Sequence, residues 1–226
     1  HDPAALARTY VDSAAVLLAI ALPAAIGLAL VADPLVRVTL GDKWIAVIPL
    51  LQVLAVQGAV RLGGSLTIAA LLAVGRPKLT TVIAVTTATV QTPLLIVGAL
   101  TGGVVGMAIA FGLAAAINLV VSLAVSLTAL KVSPLALLGA VWRTGAAALF
   151  MSGAAWAWID GFGTMAGLGA YPLLQLFSGA AVGAICYIAV HLLLWTLQGR
   201  VHGAERIILD AVMPWLGRHW RRWRGA

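Results

Sequence analysis

The chain has 226 residues, 62% of them hydrophobic and 9% charged, with a formal net charge of +7 and a mean hydropathy of +1.07. Soluble domains carry about 25% charged residues, so this composition excludes a soluble globular domain. It points to an all-α, multi-span transmembrane helix bundle held together through small residues.

Apolar runs of membrane length suit helical spans better than a barrel. Six can be drawn, over 14–32, 45–74, 79–99, 104–130, 140–159 and 170–197. The first follows Asp12 and Ser13 as N-caps, carries Pro23 as a kink, and ends at Asp33-Pro34. A loop then closes on Gly41-Asp42-Lys43-Trp44, a turn signal with an interfacial Trp.

The second span is the centre of the sequence. As a helix it reaches about 45 Å, enough to cross a bilayer. Near its middle lies Arg61, read here as the only Asp, Glu, Lys or Arg inside a membrane-length segment. A guanidinium at that depth costs at least about 2.5–3.5 kcal/mol and normally faces a polar cavity or a partner. Gln57, Arg61 and Ser65 recur at intervals of four and share one helical face. Gly58 and Gly64 lie near it and leave room for a neighbouring helix or ligand, whereas Gln52 points the other way. The stripe reads as a cationic, hydrogen-bonding track for an anionic group such as phosphate. The alternative is an Arg satisfied by carbonyls or a carboxylate of a neighbouring helix.

Gly75-Arg76-Pro77-Lys78 turns the chain into the third span, which has Pro93 inside it. Thr80, Thr87 and Gln91 fall on one stripe there. Threonines often bond back to their own helix, so Gln91 is the better cavity-facing candidate. Thr101-Gly102-Gly103 connects tightly to the fourth span, where Asn118 is either helix–helix glue or a ligand contact. Lys131 to Pro134 stops that helix, and an apolar elbow from Leu135 to Trp142 leads past Arg143 into the fifth span. A Gly-rich loop, 161–169, precedes the sixth. On that last span, His191 lies one turn from Tyr187 and reads as an interfacial or packing residue, and Cys186 sits in an apolar run.

Six spans place eleven Lys and Arg on one side and only Arg37 and Lys43 on the other. By the positive-inside rule both termini are expected in the cytoplasm. The tail, 199–226, interleaves Trp220 and Trp223 with Arg218, Arg221, Arg222 and Arg224, the pattern of an anchor on anionic lipid headgroups rather than of a nucleic-acid site. The chain divides into spans over 1–134, two further spans over 135–198, and this tail. It starts at His1 rather than Met, and is expected to be the C-terminal portion of a longer protein.

No spacing of His, Cys, Asp or Glu suits a metal, and neither a phosphate-binding Gly-rich loop nor a nucleophile elbow is present. The six spans as drawn contain no carboxylate for acid–base work. An enzyme is therefore not expected, and no cofactor is implied.

Ala32, Asp33, Pro34, Leu35, Gly41, Asp42, Lys43 and Trp44, followed by Gly75, Arg76, Pro77 and Lys78, form a loop skeleton that resembles bacterial oligosaccharide (O-antigen-type) flippases, in their C-terminal half. These belong to the multidrug/oligosaccharidyl-lipid/polysaccharide exporter superfamily, and the resemblance covers about residues 5–135. It implies one lobe of a two-lobed inner-membrane flippase plus extra C-terminal spans, whose other lobe would come from an N-terminal part of the same chain. It further implies a cargo of undecaprenyl-pyrophosphate-linked oligosaccharide, moved by alternating access. On the stripe argument alone, since no family motif fixes it, Arg61 would hold the pyrophosphate, with Gln57, Ser65, Gln91 and Asn118 meeting phosphate or sugar. Export of lipid II or drugs on the same fold is the alternative within this class. A membrane polysaccharide polymerase or acyltransferase is the alternative outside it.

Overall fold

Prolines open the long helices, because a residue with φ fixed near −65° and no N–H costs nothing at a helix start. In the computed structural model, which describes residues 3–162 and 171–198, helix α1 runs Pro3–Leu30, α2 Ala32–Thr39, α3 Ile48–Ala73, α4 Pro77–Ala129, α5 Pro134–Trp156 and α6 Pro172–Leu197. A 3-10 turn, Asp42–Val47, leads into α3, and a π-helical turn, Ala157–Phe162, ends α5. No strand occurs among the described residues.

Five helical stretches are long and apolar enough to cross a membrane. One of them, α4, has 53 residues, which as a straight rod would measure about 80 Å, far more than a bilayer's hydrocarbon. It does not stay straight. Gly103 takes φ 56° and ψ −137°, and the chain folds back there into two antiparallel arms, 77–102 and 104–129. Gly98 and Gly106 let the arms touch backbone to backbone, since a methyl group on either would collide with the carbonyl of the other. The described residues thus form an all-α, multi-span membrane bundle, in which the two arms of α4 bring the helical segments of membrane length to six.

The helices pack in a row. Helix α3 lies between α4 and α1, α1 leads on to α5, and α5 packs on α6. Buried alanines such as Ala15, Ala147 and Ala148 allow close approach where no solvent drives helices together. Three hydroxyls tie α1, α3 and α4: Tyr10, Thr67 and Ser126 are buried and meet pairwise at 2.9 Å. Ser126 also donates to the Ser122 carbonyl at 2.8 Å. With three protons for four contacts, one edge of the triangle carries no hydrogen at any moment.

Four expectations change. Helix α1 begins at Pro3, so Asp12 and Ser13 lie inside it and cap nothing. The segment 135–142 is no elbow, because α5 starts at Pro134 and runs straight through it. Arg61 is also not the only charge in a long helix, for α1 holds Arg8 and Asp12 and α5 holds Arg143, which is buried and lies inside even the 140–159 span. The carboxylate thought missing from the spans is therefore present as Asp12. Finally, the loop after Asp33 is mostly the helix α2, which buries Ala32, Pro34 and Val36. Arg37 joins Asp33 at 3.0 Å and Asp42 at 3.1 Å there, and the Asp33 hydrogen bond and charge hold its guanidinium above the usual pKa. The basic tail and most of the loop at 161–169 lie outside the described residues.

Candidate functional site

Midway along α3 the helix buries one side against α4 and α1 and leaves a stripe open, with Gly58, Arg61 and Ser65 on it. The two arms of α4 rise beside this stripe, and between them lies a cleft of about 420 Å³. Gln57, Arg61, Gly64, Ser65 and Ile68 line it from α3. Ala84, Thr87, Ala88 and Gln91 come from the first arm, and Phe111, Ala114, Ala115 and Asn118 from the second. The structure thus brings all five candidate residues, Arg61, Gln57, Ser65, Gln91 and Asn118, around one hollow.

Their polar ends are not equally available. Gln57 is buried and its Nε2 donates to the Phe111 carbonyl at 3.4 Å, bracing α3 on α4. Ser65 Oγ donates to its own helix at Leu62 O, 2.8 Å away. Asn118 donates from Nδ2 to the Thr87 hydroxyl and accepts from Ser122 Oγ at 3.3 Å, so it links the arms of α4. Gly64 gives it room, since a Cβ there would lie 3.2 Å from Asn118 Oδ1. Thr87 and Thr80 bond back to Ile83 O and Pro77 O, both at 2.7 Å. Gln52, on the far side of α3, donates to Ala29 O at 3.2 Å.

Arg61 and Gln91 differ from these. Among the described residues neither makes a hydrogen bond or an ion pair. Arg61 stands thirteen residues from Ile48 and twelve from Ala73, so the guanidinium sits near mid-span and is exposed to the cleft. The lining contains that one cation and no carboxylate. Such a site offers a fork of donors with an amide opposite, an arrangement that suits a singly or doubly negative, oxygen-rich group.

Sequence reasoning missed Thr87 as part of the lining, because its back-bond was a sufficient role. It also missed the depth of Asp12. The signal for Asp12 was present in Asp2-Pro3, an acid followed by a proline, which reads as a helix start nine residues earlier. Tyr187 and His191 lie apart from this cleft, stacked at 5.3 Å, with the Tyr187 hydroxyl donating to Ala19 O at 2.7 Å. Among the described residues no group of three His, Cys, Asp or Glu is placed to hold a metal.

Residues 1–49 match a protein-family profile described as "Polysaccharide biosynthesis protein". The match takes in α1, α2 and the turn through Lys43 and Trp44, and it supports a link to polysaccharide biosynthesis. No curated protein and no solved structure matches the chain.

Proposed function

We propose that the chain is the cargo-binding part of a flippase, one that carries a lipid-linked, phosphate-bearing oligosaccharide across the bacterial inner membrane for surface polysaccharide assembly. The observation that carries this reading is the Arg61 guanidinium, held at mid-span in an open cleft without a protein partner among the described residues. A charge at that depth is tolerated where water or an anionic ligand meets it. Phosphate oxygens would take the paired N–H donors of Arg61, and Gln91 would meet an oxygen or hydroxyl beside them. Gln57, Ser65 and Asn118 shape the hollow and present their remaining lone pairs and N–H to sugar.

Movement follows the usual logic of such bundles. Two lobes rock about a fixed site, which opens first to one side and then to the other. The second lobe would come from the same longer chain, and the arginines of the tail would rest on anionic headgroups. Nothing in the lining offers a nucleophile activated by a base, so transport rather than catalysis is the proposal. The cation in the cleft also argues against cationic drugs held there as cargo.

The test is Arg61→Ala in the full-length protein in its own cells. Surface polysaccharide should fall at least tenfold while the amount of protein in the membrane stays the same, and Arg61→Lys should recover part of it, since it keeps the charge and loses the fork. Normal polysaccharide with Arg61→Ala would remove the anion grip from the function.

A further inference from the structure

Two interhelical hydrogen bonds fix the register of α1 against α3. The Tyr10 hydroxyl meets Thr67 at 2.9 Å, and Gln52 donates to Ala29 O at 3.2 Å. Together with the groove that Asp12 shares with Leu62 and Leu66, these bonds set it near Ser65 along the axis, about one turn from Arg61. Ser65 lies eight residues inside the Ala73 end of α3. That is about 12 Å, deeper than the few ångströms by which a helix of this length overhangs the hydrocarbon.

Asp12 is exposed at this depth. It lines an open groove of about 620 Å³ between α1 and α3, together with Thr9, Ser13, Leu62 and Leu66. Leu62 follows Arg61 directly, so the groove and the Arg61 cleft lie on either side of the open stripe of α3. Among the described residues Asp12 makes no hydrogen bond or ion pair, with Arg61 or with anything else. Thr9 spends its proton on Ala5 O at 3.0 Å, which leaves its oxygen an acceptor only. A carboxylate with an acceptor hydroxyl one turn away suits a donor carrying positive charge.

Two opposite charges therefore stand in adjoining hollows, and among the described residues neither is joined in an ion pair to the other or to Arg8, whose Nε turns back to Ala4 O one turn from Asp12. We propose that Asp12, with Thr9 and Ser13, recognises a protonated amine on the same cargo whose phosphate Arg61 holds. The headgroup is then zwitterionic, an amino sugar phosphate with its amine free. This inference rests on the anion reading of Arg61 given above, and it narrows the class of cargo.

A matched pair of probes tests it. Glucosamine linked through phosphate to a farnesyl chain, and its N-acetylated counterpart, are titrated against the full chain in lipid nanodiscs, with tryptophan fluorescence as the readout. The wild type should bind the free amine about tenfold more tightly, the size expected of one charge-assisted hydrogen bond. Asp12→Asn should bring the ratio of the two affinities near one, and Asp12→Glu should keep it well above one. Arg61→Ala should weaken both lipids together and leave the ratio standing. If both lipids bind the wild type equally, or the preference survives Asp12→Asn, the amine site is overturned and the anion site stands. If neither lipid binds, both readings fall.

Discussion

Asn118 shows how one residue can be right in place and different in task. Its position in the cleft is as the sequence suggests, yet one donor is committed to Thr87 and its carbonyl oxygen to Ser122. The strut it forms joins the two arms of α4 and so sets the width of the hollow that Arg61 faces. Interhelical hydrogen bonds in membranes average about 0.6 kcal/mol and reach about 1.7. Thr87→Val and Asn118→Ala should each lower stability by that order, and the double variant should lose little more than the worse single, because both remove the same bond. Unfolding in detergent, followed by helical signal across this cycle, measures the coupling. Fully additive losses would mean that the two side chains act separately.

At the scale of the element, the hairpin in α4 carries the most information per residue. Two glycines eight residues apart let its arms meet with only backbone between them, and a third, Gly103, takes the positive φ that reverses the chain. Gly98→Ala or Gly106→Ala should destabilise the bundle by at least about 1–3 kcal/mol, the usual cost of forcing a methyl into a filled contact. Gly102→Ala should do little, since open space surrounds it. Thermal aggregation in detergent compares the three, and equal melting would show that the arms do not touch there. This reversal was legible in advance, because Thr101-Gly102-Gly103 interrupts an apolar run too long for one crossing. The start of α5 was not. Pro134 was read as the end of one helix, and the same residue is equally good as the first of the next. That choice put Arg143 at a boundary, where it is instead buried within a helix. The stripe on α3 was legible because periodicity fixes a face whatever surrounds it. Which of its polar groups stay free was not, since Gln57 is taken up by the Phe111 carbonyl, far along the chain on the second arm of α4.

For the whole molecule, charge and contact give independent views of which end faces which way. Arg76 Nη1 reaches Ala129 O at 3.3 Å, so the turn at 75–78 and the start of the 131–134 connection share one end. The hydroxyl triangle of Tyr10, Thr67 and Ser126 brings the first turns of α1 to that same end. Lys43 and the α4 reversal at Gly103 lie at the opposite one, a helix length away. The cation-rich end is the cytoplasmic one if loop charge governs insertion. Single cysteines placed in a Cys186→Ala background can report this with a thiol reagent that does not cross the membrane. Lys78→Cys and Lys131→Cys should resist the reagent in intact cells and react once the membrane is opened, whereas Lys43→Cys and Thr101→Cys should react from outside. Thr101 is the decisive position, because only a helix that crosses, reverses and crosses again puts it beside Lys43 in accessibility. If Thr101→Cys behaves like Lys78→Cys, the two arms of α4 do not span. The cleft they make with α3 would then have no mid-membrane depth, and Arg61 would need no ligand to explain its charge.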